Sequence, residues 1–262
     1  TPSVSRSGPG GVAFSKPPRL IGHRGAMAVA PENTLASFQR AAIDGADWIE
    51  FDARLSADGV PIIFHDDTLE RTSDGKGPVS AHTATRLQGF DAGRWFGPDF
   101  QGEVIPTLEE TITLCRDLGL GMNIEIKPNP GEEHETAIAA LTMLDTVLDV
   151  EDKVLAGSIV FSSFKIKALE TLRDEGANWP RGLLISAWRP DWREEVRRLG
   201  CISLHPSAGL LDVSETVRAI KAEGLLIFPY TVNDPRRASD LFAWGVDAII
   251  TDDPGLLSEP AA

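Results

Sequence analysis

From Arg19 onward, short apolar runs of strand length alternate with longer stretches whose apolar positions recur at helical spacing. The strand-like runs are Leu20–Gly25, Trp48–Arg54, Met122–Lys127, Ile159–Ser163, Gly182–Ser186, Cys201–Pro206, Leu226–Asn233 and Val246–Asp252. Between them the spacing predicts helices over Asn33–Asp44, Leu108–Leu118, Glu133–Leu148, Lys165–Glu175, Trp192–Leu199, Val213–Glu223 and Pro235–Trp244. Several of these run into a glycine (Gly119, Gly176, Gly200, Gly224 and Gly245), the usual helix stop. Eight strand–helix units in one chain predict a (β/α)8 TIM barrel, whose active site lies at the C-terminal ends of its strands. Residues 1–18 are rich in Ser, Gly and Pro without periodicity and are expected to form a flexible arm outside a barrel domain spanning 19–262.

One segment breaks the alternation. Val60–Asp66 is strand-like, yet only the short Ser56–Gly59 turn separates it from the second barrel strand. Parallel neighbours need a crossover of a dozen or more residues, so this must be an antiparallel return strand. Folding the hairpin about Asp58-Gly59 sets His65 opposite Phe51 or Asp52. The stretch 67–106 that follows is polar, rich in Gly and aromatics, and too long for an ordinary connection. It is expected as an insertion after the second barrel strand, either a substrate cap or a compact unit shielding the barrel end.

The parity of the strands places the candidate chemistry. Glu50 and Asp52 stand two apart, so both point to one face of their strand, and Glu125 and Lys127 share a face in theirs. Like charges gathered inside a fold are costly unless a cation lies between them. A divalent ion held by Glu50, Asp52 and Glu125 is the economical explanation, and three hard oxygen donors suit Ca²⁺ or Mg²⁺ better than zinc. His23 and Arg24 end the first strand, and His65 and Asp66 end the return strand. Two histidines beside a metal suit acid and base work near neutral pH, and Arg24 with Lys127 would clamp an anionic phosphate. Each piece alone has a structural reading; their placement at successive strand ends favours the catalytic one. His205 also ends a strand, where it either contacts substrate or makes a structural hydrogen bond, while Ser163, Asn233 and Asp252 are less specific strand-end residues. Trp188 and Phe96 either line an alcohol pocket or pack a loop.

Composition narrows the partners. The net charge of −14 argues against nucleic acid and anionic membrane surfaces. With 42% hydrophobic residues the chain can build an ample core, yet no apolar run has the length to span a bilayer. Two cysteines, Cys115 and Cys201, have neither metal-ligand spacing nor a disulfide framework. The expectation is a soluble protein of a reducing compartment, monomeric or homodimeric, with a small-molecule partner.

In order along the chain, Gly22-His23-Arg24-Gly25, Pro31-Glu32-Asn33-Thr34, Glu50-Phe51-Asp52, His65-Asp66-Asp67, Glu70-Arg71-Thr72, Asn123-Ile124-Glu125-Ile126-Lys127, Tyr230-Thr231-Val232-Asn233, Gly245-Val246-Asp247 and Thr251-Asp252 resemble the glycerophosphodiester phosphodiesterases. The similarity runs from about Leu20 to Asp253, and the stretch from Arg181 to Asn233 further resembles the bacterial cytosolic branch linked to glycerol-3-phosphate uptake. The resemblance implies a TIM-barrel hydrolase of the cytoplasm with an insertion after its second strand. It implies that Glu50, Asp52 and Glu125 hold the divalent ion, that His23 and His65 are acid and base, and that Arg24 and Lys127 hold the phosphate. Tyr230 stands where many relatives carry Trp, which implies an aromatic substrate contact. The implied reaction converts a glycerophosphodiester to sn-glycerol 3-phosphate and an alcohol. A phosphodiesterase of intact phospholipids would want an apolar or basic lip that this composition does not offer. A noncatalytic phosphodiester binder would need the clamp but not two proton-transfer groups.

Overall fold

The computed structural model describes residues 18–148, 152 and 157–258, so the expected arm lies, apart from Pro18, outside the described residues. Eight parallel strands form the barrel: β1 (Leu20–His23), β2 (Trp48–Leu55), then, past the return strand β3 (Pro61–Ile63), β4 (Gly121–Ile126), β5 (Ile159–Ser163), β6 (Arg181–Ile185), β7 (Ser203–Pro206), β8 (Leu226–Ile227) and β9 (Ile249–Thr251). Each pairs with its neighbour in the order β8-β7-β6-β5-β4-β2-β1-β9. The ring closes because the Ile250 amide donates to Pro229 O (3.0 Å) and the Val232 amide to Ile250 O (3.0 Å). β8 is shorter than the expected Leu226–Asn233, since Pro229 brings no N–H to the ladder. The chain stays extended there, with the Phe228 and Tyr230 amides donating to Leu204 O and Pro206 O.

Alternation sorts the strand residues between two cores. Ile21, Trp48, Val160, Phe228, Ala248 and Ile250 pack together inside the barrel. Ile49, Phe51, Ala53, Met122, Ile124 and Ile126 face outward into the layer shared with the helices. Gly121 is required by the inner layer, because a Cβ there would lie 2.3 Å from the indole nitrogen of Trp48. The helices include α1 (Leu35–Ile43), α2 (Ala84–Leu87) and α3 (Leu108–Leu118). α3 opens on a capping box in which Thr107 Oγ1 accepts from the Glu110 amide and the Glu110 carboxylate accepts from the Thr107 amide. Among the described residues no helix is long and apolar enough to cross a membrane.

β3 runs antiparallel to β2 with Ala53 opposite Ile63, and the Phe64 amide continues the ladder to Asp52 O at 2.9 Å. Carried one step further, this register sets His65 opposite Phe51, beside the carboxylates of β2. The segment after it contains α2 and shares with β3 a separate apolar cluster of Ile62, Phe64, Leu69, Val79, Leu87 and Ile105. Buried Arg54 fastens that segment to the barrel: it donates to Phe64 O (3.0 Å), His65 O (2.6 Å), Asp67 Oδ1 (3.0 Å) and Asn129 Oδ1 (3.0 Å).

Candidate active site

The turn ending β1 is sterically fixed. Gly25 has φ 89° and its amide donates to Gly22 O, and a Cβ at Gly25 would stand 2.3 Å from Ser37 Oγ. Arg24 also sits in the left-handed region, at φ 49°, which costs a non-glycine residue roughly 1 kcal/mol. The turn is held by what it aims: the Arg24 amide donates to Glu50 Oε2 (3.1 Å), its Nη1 to Glu32 Oε1 (2.8 Å), and its Nε lies 3.4 Å from Asp52 Oδ2. Asn33, another left-handed residue (φ 57°), donates from Nδ2 to Asp52 Oδ2 at 2.9 Å.

Glu50, Asp52 and Glu125 present carboxylate oxygens within 4.8 Å of one another, all in buried residues. The register that pairs Asp52 with Glu125 across β2 and β4 brings the third acid to the other two. Burial pushes the Glu50 carboxyl well above its usual range, reinforced by Asp52 and Glu125, and it pushes Glu125 up to about 7, reinforced by Asp52. Burial acts the same way on Asp52, but Arg24, Lys127 and His65 outweigh it and hold Asp52 well below its usual range. Three convergent hard oxygen donors in one buried wall fit a divalent cation, which would relieve the repulsion that raises two of them.

Both histidines are aimed by an aspartate. His23 Nδ1 lies 2.6 Å from Asp252 Oδ1, and Asp252 Oδ2 accepts from Asn233 Nδ2 at 2.7 Å. His65 Nδ1 lies 2.6 Å from Asp66 Oδ1, and Asp66 Oδ2 accepts from Arg71 Nε at 2.6 Å. The free ring nitrogens meet different surroundings. His23 Nε2 is 4.0 Å from Glu50 Oε2, whereas His65 Nε2 is 2.7 Å from Lys127 Nζ. Lys127 Nζ also stands 3.6 Å from both Asp52 Oδ1 and Glu125 Oε1. Burial lowers the proton affinity of His65, and Arg24 and Lys127 lower it further against the opposing pull of Asp52.

These groups line one cavity of about 370 Å³, shared by His23, Arg24, Glu50, His65, Glu125 and Lys127. Phe164 and Tyr230 cover its apolar side with rings edge to face at 5.9 Å, and Tyr230 donates to Ile185 O at 3.1 Å. Two acid–imidazole pairs, a trio of buried carboxylates and two cations around one small cavity can bind an anionic ester and move protons on both sides of it.

Residues 23–256 match the model of the Glycerophosphoryl diester phosphodiesterase family. The chain belongs to that family. It is 35% identical over 242 residues to a glycerophosphodiester phosphodiesterase of Caldanaerobacter subterraneus subsp. tengcongensis, covering 91% of this chain and 95% of that one. A Bacillus subtilis glycerophosphodiester phosphodiesterase is 32% identical over 253 residues, 90% of this chain and 84% of that one. Among solved structures, an Oleispira antarctica phosphodiesterase in complex with the product sn-glycerol-3-phosphate superposes with a TM-score of 0.87 at 38% identity, covering 92% of this chain and 96% of that one.

Of the residues singled out in this family member's sequence, His23, Arg24, Glu50, His65, Glu125, Lys127 and Tyr230 line the cavity. Asp52 lies within the acid trio and touches Arg24 and Lys127. His205 does not reach the mouth. It is 0% exposed, with Nε2 2.9 Å from Ser203 Oγ, Nδ1 3.5 Å from Asn123 Nδ2, and its ring against Phe228 at 5.0 Å. Its parity points it inward as expected, but it lies a layer too deep, in the space left by Gly182, where a Cβ would come within 2.5 Å of its Nε2. The aromatics on the cavity wall are Phe164 and Tyr230, while Phe96 packs edge-on against Trp95 and Phe100 in the insertion. Asp252 and Asp66, which hold the two histidines, are marked in the sequence only by a strand end and by adjacency to His65. The signal for Arg54 is its parity with Glu50 and Asp52, which puts a third charge on the same face of β2.

Proposed function

We propose that this protein hydrolyses glycerophosphodiesters, such as glycerophosphocholine and glycerophosphoethanolamine, to sn-glycerol 3-phosphate and an alcohol, in the cytoplasm and with one divalent cation, Ca²⁺ or Mg²⁺. The observation that carries this reading is the pair of aspartate-held histidines facing one cavity beside the Glu50, Asp52 and Glu125 trio. The likeness to a phosphodiesterase whose structure holds sn-glycerol-3-phosphate supports the substrate class.

Glu50, Asp52 and Glu125 would hold the ion, which when bound would supply charge neutralisation for the phosphate. Arg24 and Lys127 grip the same phosphate as fork and point charge. The Lys127 ammonium has only protons to offer, so His65 accepts at Nε2 and carries its own proton on Nδ1, toward Asp66. That makes His65 the base, taking a proton at Nε2 from the attacking hydroxyl. His23, with Nδ1 held by Asp252 and Nε2 turned to the same cavity, is the second proton-transfer group. It is the acid that protonates the departing alcohol oxygen. When the attacking group is the glycerol 2-hydroxyl, a cyclic phosphate forms and water opens it; when it is water, the product forms directly. Tyr230 and Phe164 shelter the organic part of the substrate.

Incubating the protein with glycerophosphocholine, with and without a chelator, and repeating the assay with His23→Ala tests the reading. Turnover that survives both the chelator and the substitution would remove the assigned site. Solvent-oxygen labelling under single-turnover conditions separates the two routes, since absence of any trapped cyclic phosphate rejects the first.

A further inference from the structure

The insertion reaches the site through Arg71, whose side chain is 47% exposed and so not part of a core. All three nitrogens of its planar fork are engaged. Nε donates to Asp66 Oδ2 (2.6 Å) and Nη2 to Asp66 Oδ1 (2.9 Å), while Nη1 donates to Glu32 Oε2 (2.8 Å) and Nη2 to Glu32 Oε1 (2.8 Å). Each carboxylate it holds serves another cavity residue: Asp66 Oδ1 faces His65 Nδ1, and Glu32 Oε1 accepts from Arg24 Nη1. A continuous chain of charge-assisted bonds thus runs His65–Asp66–Arg71–Glu32–Arg24. Arg71 does not line the cavity.

We infer that Arg71 is a positioning residue, which sets the ring of His65 through Asp66 and the guanidinium of Arg24 through Glu32, and so ties the insertion to the geometry of the reacting atoms. The inference rests on the reading of His65 as the base. A lysine would not replace the fork, because one ammonium nitrogen cannot hold two carboxylates in one plane. Charge enters as well. Asp66 alone would favour a protonated His65, and Arg71 shares that carboxylate. The other charged groups acting on His65 are Asp52, Arg24 and Lys127. The burial of Glu32 makes the second arm stiff, since its carboxylate has little water to turn to when the fork is removed.

The two arms predict separable kinetics on glycerophosphocholine, measured with the full chain in saturating Mg²⁺ or Ca²⁺. Misplacing the base by the Asp66 arm lowers kcat, by about 10²-fold in Arg71→Ala. Loosening Arg24 by the Glu32 arm raises KM. Arg71→Lys keeps a charge and loses the fork, so it stays folded and retains most of the kcat defect. In an Asp66→Asn background, removing Arg71 has little further effect on kcat, because both act through one contact, while the KM effect remains. Added guanidinium ion restores part of the kcat of Arg71→Ala and none of that of the double variant. Thermal melting of each variant separates misfolding from misplacement. A wild-type kcat in Arg71→Lys or in folded Arg71→Ala, or a kcat loss that adds in full to that of Asp66→Asn, overturns the inference. His65→Ala distinguishes the two levels: if it remains active the base assignment fails, whereas an inactive His65→Ala beside a fully active Arg71→Ala rejects the Arg71 role alone.

Discussion

Lys127 Nζ lies 2.7 Å from Nε2 of His65, so the nitrogen that faces the cavity is an acceptor and its ring is neutral in this arrangement. Neutrality here is held by position: burial, then Arg24 and Lys127, lower the affinity of His65 for a second proton below that of an ordinary histidine, about 6.5.

A base must be unprotonated to work, and a lowered value means it becomes so at lower pH. The acid limb of the kcat/KM profile is therefore expected below the ordinary histidine range, with activity persisting as pH falls through about 6.5. Lys127→Met removes one of the groups that lower it, so the limb moves toward higher pH while activity drops with the loss of the phosphate clamp. An acid limb above about 7 in the native enzyme, or one that shifts downward in Lys127→Met, would contradict His65 as the base.

The acid trio makes a separate prediction about stability. Burial and Asp52 raise Glu125 from its usual 4.5 to about 7, so in metal-free protein the folded state binds a proton that the unfolded state has released across that interval. The contribution is fully present below about 4.5 and lost as pH rises through about 7. Glu50 acts in the same direction. Chelator-treated protein should therefore lose melting temperature as pH rises across this window. Millimolar Mg²⁺ or Ca²⁺ should raise it most at the upper end, where the carboxylates are charged. Glu125→Gln should flatten the chelator-treated curve. Parallel curves with and without ion would argue that the trio holds no cation.

Much of this was legible in the sequence because period and parity are local. The bounds of α3 over Leu108–Leu118 follow from its apolar spacing and its Gly119 stop, and the structure adds the Thr107 cap. The i, i+2 spacing of Glu50 and Asp52 is enough to place both on one face of β2. Contacts that depend on closure of the whole ring were not legible: His23 meets Asp252 only because β9 returns to pair with β1, 229 residues later. The Arg71–Glu32 link was hidden for a different reason, since the insertion has no period from which the direction of Arg71 could be read. For His205 parity gave the face but not the depth, because the stagger of strands around a barrel fixes which inward residue reaches the mouth.

Arg54 carries a prediction about both fold and site. Its guanidinium satisfies the carbonyls of Phe64 and His65 and binds Asn129 and Asp67, so Arg54→Met leaves several acceptors without a donor. The expected loss is about 2–4 kcal/mol, measured by urea unfolding. The displaced His65 backbone should lower kcat in the fraction that remains folded. Native stability and native kcat in this variant would mean that the anchor is dispensable.

His205 sets the opposite expectation, an effect on stability with none on substrate binding. Its surroundings are Ser203, Asn123 and Phe228, and burial lowers its proton affinity to about 3. The folded state therefore excludes a proton that the unfolded chain takes up below about 6.5. Stability from this group is present above that value and lost as pH falls toward about 3. His205→Gln keeps hydrogen-bonding capacity but cannot titrate, so its acid unfolding should be shallower than that of the native protein, whatever its stability at neutral pH. KM for glycerophosphocholine should change by less than about threefold, because the side chain is walled off from the cavity. A tenfold rise in KM with an unchanged acid transition would instead make His205 a substrate contact, and would require the inner layer of the barrel to open when substrate binds.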